Sequence, residues 1–505
     1  MTNTPLSVSE PDLFHQPWIP VTLVDGTDNT VGLRDLQVQA RHIQRLALGV
    51  PPAESVLLRI LYVLGLRAAG LDAIDADSRY ELLEKGEFDP DRVDEYCSRY
   101  ANRFQLFHPE RPWMQDPRLA DQMAKPNGIP ALTVSRPSKS SSTLFGAFHD
   151  GITTAVPWEQ AVMQMLCWFG YGQGGPTGVV RATSSNKGRH CRIGPFRGRM
   201  SYHPTGRNLF ETIVLGIPET DHDPGPGDDP APWESDLNDP DATPPEVTGP
   251  VTLLTGRYQH ALLLEPTADK TAVSDAWISW AWPTTLPTAP DPYLIWQENK
   301  KGERYPRDAE AHRALFRDLD ALLLEHTPDR HAHRPLIMDA LHDAPLDVLD
   351  HAGVTAYGFA QDRVNAVDHQ WWKAQTPPVL RALRAGEHAT AARIAETRQA
   401  AELAASRLTW ALEGIEATTS ATGLARAAER DYWPQAEARF WRIVTEHDWQ
   451  ATAFAALALD IYDDIVDTAA ATDPTRIIRA AVHQRGKIAS LLHRKGPDDP
   501  KETAA

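Results

Sequence analysis

Apolar residues in the last quarter of the chain recur with a helical period. Over 386–416, Ile394, Ala401, Ala404, Leu408, Leu412 and Ile415 follow a repeat of about 3.6 residues, which predicts one long amphipathic helix. The pattern continues over 434–448 and 475–495, and over 450–471 with Phe454, Leu457, Leu459, Ile461 and Ile465. Gly423, Pro434 and Pro474 cut the region into pieces of helical length, and four antiparallel helices of that size make a bundle.

The first 375 residues read differently. Residues 18–33 predict two strands around an Asp25-Gly26 turn. The mostly apolar run 56–68, interrupted by Arg59, predicts a buried helix, and 89–106 a second one. Alternation over 250–265 (Val251, Leu253; Ala261, Leu263) and 273–281 predicts strands, while 307–326 and 335–342 read as helical. Too little βαβ regularity is present for a doubly wound sheet. The expected fold is α+β: a large irregular mixed domain over 1–375, then a C-terminal four-helix bundle over 376–505. Proline usage supports that division, because 37 of the 41 prolines lie at or before Pro378.

Charge sharpens the picture. The 505 residues carry 50 Lys plus Arg against 68 Asp plus Glu, a net charge of -18, which argues against a free-standing DNA binder. The total conceals two opposite asymmetries. Residues 219–248 hold ten acidic side chains, seven prolines and no Lys or Arg, the composition of a solvated, disordered acidic insert. Between Glu159 and Glu211 there is no acid at all, but seven cations: Arg181, Lys187, Arg189, Arg192, Arg197, Arg199 and Arg207. That window opens on Trp168-Phe-Gly-Tyr-Gly-Gln-Gly-Gly-Pro-Thr-Gly178, where glycines free the backbone to approach a ligand. A backbone cradle beside arginines suits a phosphate-rich polymer. The predicted last helix adds Arg476, Arg479, Arg485 and Lys487 with no acid.

Catalytic motifs are scarce. Cys97, Cys167 and Cys191 are far apart, so they form neither a disulfide framework nor a thiolate zinc site. No nucleotide P-loop, G-x-S-x-G or H-E-x-x-H pattern occurs, and no cofactor motif is found. Four His-Asp dipeptides (His149-Asp150, His222-Asp223, His342-Asp343, His447-Asp448) keep open an HD-type metal-dependent phosphohydrolase as the alternative reading. A protein-interaction scaffold with a basic loop is a third. No signal peptide or membrane span is expected, which points to the cytoplasm.

Several segments together resemble the CasA family, the large subunits of the type I-E CRISPR surveillance complex Cascade. Leu13-Phe-His-Gln-Pro-Trp-Ile-Pro-Val21 looks like that family's N-terminal W-I-P-V strand, and Phe107-His-Pro-Glu-Arg-Pro-Trp-Met-Gln115 like its H-x-E-x-P-F-x-Q segment. The glycine loop and Gly358-Phe-Ala-Gln-Asp-Arg363 fall where the family has its two DNA-reading loops. The resemblance implies a non-catalytic subunit that reads the PAM in double-stranded DNA from the minor groove. It further implies help in opening the duplex for guide crRNA pairing, and a docking surface for a separate helicase–nuclease. Other Cascade subunits would be its partners. It assigns the PAM contact to Gly172, Gly174 and Gly175, with Gly174 or Gly175 donating the amide. It assigns the wedge to Gln361, Asp362, Arg363 and Val364, with Arg363 standing where the family has a glutamine. Lys187, Arg189, Arg192, Arg197 and Arg199 form the basic loop, Lys270 is the nearest lysine to the family's lysine finger, and Phe145 corresponds to the guide RNA and subunit contact.

Overall fold

In the computed structural model the hairpin expected around Asp25-Gly26 forms from β1 (Ile19–Leu23) and β2 (Asp28–Val31), with Gly26 at φ +85° in the turn. β3 (Ile43–Leu46) pairs on the other edge of β1, so the order is β2-β1-β3, all antiparallel. The structure describes residues 10–133, 154–174, 191–220, 224–239, 242–282, 284, 286, 289–311, 313–324, 332–361, 368–384, 387–450, 452–471 and 473–493. These fall into two compact units: one contains 1–311 and 331–381, the other 312–330 and 382–505.

The centre of the first unit is α1 (Pro51–Ala68), which is buried on all sides. Proline at its first turn costs no hydrogen bond there, and an apolar circumference is what a central helix needs. Packed against it are α2 (Trp158–Tyr171), α3 (Leu209–Gly216) and a sheet of three strands. β4 (Met200–Thr205) forms one edge of that sheet. Between β4 and α3, Asn208 caps the helix by accepting from Glu211 N. β5 (His260–Pro266) and β6 (Ala272–Trp280) form a separate hairpin with His260 opposite Trp280. β7 (Gly353–Gln361) and β8 (Asp368–Gln375) complete the sheet that β4 begins, in the order β8-β7-β4, antiparallel throughout.

The helix expected over 307–326 is present only over 315–323, the described residues of 307–314 being non-helical, and two further segments differ from expectation. Residues 250–255 form a short helix, not a strand. Its start is capped from a distance: the Asp229 carboxylate accepts from Val251 N at 2.6 Å and Thr252 N at 2.9 Å, so Val251 and Leu254 turn inward together. The acidic insert is not solvated along its whole described length either. Ala231 and Trp233 are buried, and Glu234 takes a bidentate pair from Arg67 at 3.0 and 3.1 Å plus the Tyr96 hydroxyl at 2.7 Å. Local composition predicts disorder because it contains no cations; the cations come from helices more than a hundred residues away.

In the second unit α4 (His388–Glu416), α5 (Leu424–Glu446), α6 (Thr452–Ala470) and α7 (Pro474–Ala489) make the four-helix bundle. Its core holds Ile394, Leu408, Leu412, Phe440, Phe454, Leu457, Ile461, Ile477 and Ile488. Pro434 does not break the chain as expected but sits inside α5. It removes one backbone bond, and the buried face of Tyr432, Ala436 and Phe440 on either side carries the helix through. The Tyr432 hydroxyl also donates to Ala401 O on α4 at 2.8 Å. The stretch 315–323 belongs to this unit: Arg317 pairs with Glu402 at 2.6 Å and lies 4.0 Å over the Trp433 ring. Among the described residues, no helix is long and apolar enough to cross a membrane.

Candidate nucleic-acid interface

The described start of the glycine loop, residues 172–174, follows directly on the end of α2. Gly172 N donates to Trp168 O, the last turn of the helix, and the chain then runs beside residues 191–196. Gly194 N donates to Gly172 O and Phe196 N to Gly170 O, both at 2.8 Å. These backbones are too close for side chains. A Cβ at Gly194 would stand 2.5 Å from Gly170 O and 2.8 Å from Gly172 N, and one at Gly172 would stand 2.6 Å from both His260 Cε1 and Trp168 O. At Gly174 it would meet Ile193 Cγ2 at 2.9 Å. Gly172, Gly174 and Gly194 are therefore required by close packing, and none of these three has a positive φ.

Four of the expected site residues gather around this stem. Gln361, the last residue of β7, donates through Nε2 to Tyr171 O at 3.4 Å and accepts at Oε1 from Gly198 N at 3.3 Å. The described base of the wedge loop thus touches the described base of the glycine loop. Arg197 is 2% exposed and donates to Tyr171 O at 3.0 Å, so it braces the stem from inside instead of facing a solvent-borne polyanion. Arg199 pairs with Asp308 at 2.5 Å and also donates to Pro306 O. Of the three described basic-loop arginines, Arg192 is the exposed one.

Lys270 does not join this group. It sits in the β5–β6 turn and pairs with Glu10 at 3.1 Å. His260, at the other end of β5, is the residue that reaches the stem, and six strand steps separate the two ends by about 20 Å. Gly175, Lys187, Arg189, Asp362, Arg363, Val364 and Phe145 lie outside the described residues. So do His149-Asp150 and His222-Asp223; His342 and Asp343 are exposed and paired with each other at 3.2 Å. Among the described residues, no group of three or more His, Cys, Asp or Glu is arranged to hold a metal ion.

Beneath the stem lies a buried polar network that periodicity did not reveal. Arg59 of α1 is wholly buried, bonded to both oxygens of Asp291 at 3.0 and 3.2 Å, with its guanidinium 3.8 Å over Phe196 and 4.7 Å over Tyr293. It also donates to Ser55 O, and Ser55 Oγ accepts from the Tyr171 hydroxyl at 3.3 Å. His203 sits between Arg59 and Tyr62; burial, aided by the neighbouring guanidinium, holds it well below the ordinary imidazole range. Glu54 accepts from the Tyr357 hydroxyl at 2.7 Å and pairs with Lys373, which ties α1 to β7 and β8. The one clue in the sequence was an arginine in the middle of an apolar helix.

His260 joins the β5–β6 hairpin to the glycine stem, donating from Nε2 to Gln173 O at 3.0 Å. Burial lowers it to about 4, from the usual 6.5. The unfolded chain therefore takes up a proton below about pH 6.5 that the folded chain refuses, so stability falls on acidification. Between pH 6.5 and 5 the expected loss is about 2 kcal/mol for this residue. Urea denaturation at the two pH values measures it: wild type should lose about 2 kcal/mol more than His260→Gln. Equal losses would mean that His260 is not held neutral.

An α+β unit followed by a C-terminal helical bundle is the architecture of CRISPR-associated proteins of known structure. The chain is similar to one in a CRISPR RNA-guided surveillance complex, with a TM-score of 0.84 and 34% identity over 95% of this chain and 99% of that one. It is similar also to Cse1 of Thermobifida fusca, with a TM-score of 0.79 and 20% identity over 96% of this chain and 98% of that one, a likeness of fold alone. CasA/Cse1 of Thermus thermophilus is 29% identical over 223 residues, 44% of this chain; in that alignment the chain spans only 42% of the relative's length. The model of the CRISPR-associated protein Cse1 family matches residues 12–467, and the chain belongs to that family.

Proposed function

We propose that this chain is the large subunit of an RNA-guided CRISPR surveillance complex and reads the PAM of double-stranded target DNA without catalysing its cleavage. In this reading it assembles in the cytoplasm with guide crRNA and other subunits, with Phe145 at the guide RNA end. It helps open the duplex for R-loop formation and offers a docking surface to the helicase–nuclease. The observation that carries the reading is the junction at Gln361, where the bases of two loops meet through Tyr171 O and Gly198 N. One loop begins at Gly172, Gly174 and Gly175 and continues through Lys187, Arg189 and Arg192. The other continues through Asp362, Arg363 and Val364. Loops rooted together can act on adjacent base pairs, one by backbone amides in the minor groove and the other by a side chain between base steps.

Division of labour between the loops is testable. Replacing Lys187, Arg189 and Arg192 by Ala should weaken binding to all duplexes alike and flatten the dependence of log K on log salt by about 3, since each lost phosphate contact removes about 0.9. Unchanged affinity and slope at low salt would remove the basic loop from the interface. Arg363→Ala should leave initial duplex binding intact and impair strand opening, read by permanganate reactivity of unpaired thymines. Normal opening in that variant would remove Arg363 from the wedge. Lys270 is expected to contribute only if it is released from Glu10, so Lys270→Ala should leave PAM selectivity unchanged.

A further inference from the structure

A cavity of about 350 Å³ lies in the first unit between the acidic insert, residues 111–118 and the start of β5. Small-ligand sites usually measure about 300–1,000 Å³, so it has room for a compact molecule. Met114, Phe169, Leu237 and Trp282 are among its apolar lining, and Arg103, Arg111 and Asp236 stand at its mouth. Two acids of the insert are held here in opposite ways. The Glu234 side chain is buried and takes both nitrogens of Arg67 and the Tyr96 hydroxyl, which makes it the anchor. Asp236, two residues on, has a side chain 91% exposed. Its Oδ1 accepts from Arg111 Nη1 at 2.9 Å and lies 3.7 Å from Arg103 Nη2.

A carboxylate so exposed gains little from its pairing and exchanges readily for another anion. The guanidinium groups are more constrained. Arg111 and Arg103 have side chains 24% and 29% exposed, and Arg111 also donates through Nη2 to Ser235 O at 2.5 Å, a bond that does not involve the Asp236 side chain. We propose that the cavity binds a carboxylate with an apolar body, whose anionic group takes the place of Asp236 on Arg111 and Arg103. The Asp236 side chain is then a stand-in held in cis, and it turns to solvent when the ligand arrives. Arg111, and after it Arg103, holds the Asp236 carboxyl below the ordinary carboxylate range, so at neutral pH it is ionised and competes. Asp228 and Glu246 also line the cavity with exposed carboxylates. A dianionic phosphate would meet their repulsion, whereas one carboxylate only replaces the charge of Asp236. Arg118 is engaged elsewhere, with Asp116 at 2.8 Å and Asn238 O at 2.7 Å.

The test uses the whole chain and does not depend on the PAM reading. Phenylpropionate is titrated into wild type, Asp236→Ala and Arg111→Gln and followed by ligand-observed NMR, with thermal melting to confirm that each variant folds. Wild type should bind with a Kd of about 1 mM or below. Asp236→Ala should bind about tenfold tighter, because no internal carboxylate occupies the guanidinium groups first. Arg111→Gln should bind about tenfold more weakly, having lost a charge-assisted pair. If that variant melts early, Arg103→Gln replaces it and should weaken binding in the same direction. Phenylpropionamide, the same body without the charge, should not bind. Absence of binding to Asp236→Ala, or equal affinity in Asp236→Ala and wild type, would overturn the proposal. So would phenylpropionamide binding as tightly as the acid, or phenyl phosphate binding more tightly. A tripeptide ending in phenylalanine, with its terminal carboxylate free, tells the two sources of such a ligand apart. Competition with phenylpropionate supports the C-terminus of a polypeptide, and exclusion of the peptide while phenylpropionate binds supports a free acid.

Discussion

Arg59→Ala should destabilise the first unit by about 3–5 kcal/mol, because it takes from the Asp291 carboxylate the guanidinium bonded to both its oxygens inside a buried network. Three losses act together. The ion pair disappears, the aromatic faces of Phe196 and Tyr293 lose the guanidinium between them, and Ser55 O loses a donor. Phe196 also donates its amide to Gly170 O, so the damage reaches the glycine stem directly. Denaturant titration of wild type, Arg59→Ala and the double variant Arg59→Met with Asp291→Leu separates the causes. The double variant should recover most of the loss, since well-packed apolar groups of similar volume replace a buried ion pair at little cost. A loss below about 1 kcal/mol for Arg59→Ala would show that the network is solvated and does not hold the stem.

The second large effect is expected from Gly194→Ala. The added methyl would overlap backbone atoms on the opposite side of the stem, Gly170 O and Gly172 N, and neither can move without unseating the end of α2. Relief requires breaking the Gly194 N to Gly172 O bond, and with it the geometry that aims the loop. Such overpacking costs about 1–3 kcal/mol, so the chain should still fold. PAM-selective binding should fall about tenfold or more, because a contact displaced by a fraction of an ångström loses its hydrogen bonds. Binding to duplex without a PAM, carried by phosphate contacts, should change little. If selectivity survives the substitution, the packing of the stem does not determine the aim of the loop.

What could be read from the chain depended on how local the cause was. The Asp25-Gly26 hairpin, α1 and the helices of the bundle have their causes within a few residues: a turn dipeptide, an apolar circumference and a helical repeat. The helix at 250–255 did not, because its cap is Asp229, and alternation of Val251 and Leu253 resembles a strand when that cap is unknown. The insert escaped for the same reason: Arg67, Tyr96 and Arg111, which hold it, come from distant parts of the chain. Pro434 was overweighted, since a helix with a buried face on both sides of a proline tolerates one missing bond.

The site was legible in outline only. An acid-free window beside clustered glycines singled out the candidate region, but charge counting cannot tell an arginine that faces solvent from one that braces a turn. Arg192 and Arg197 stand five residues apart and have opposite surroundings, one exposed and the other bonded to Tyr171 O. The glycines carried a similar ambiguity. Gly172 and Gly194 are needed for the packing of one backbone against another, a reason that only their spatial neighbours disclose. His260 left no trace in the sequence, because nothing in 258–262 indicates that its ring meets Gln173.

The most direct test of the central claim is a binding titration of guide-loaded surveillance complex, with and without this chain, on duplexes bearing a randomised PAM. With the chain present, binding should become selective, and the enriched bases should be those distinguishable in the minor groove, A·T from G·C. Affinity that is the same with and without the chain, or a complex that does not take it up, would contradict the assignment of PAM reading to this subunit.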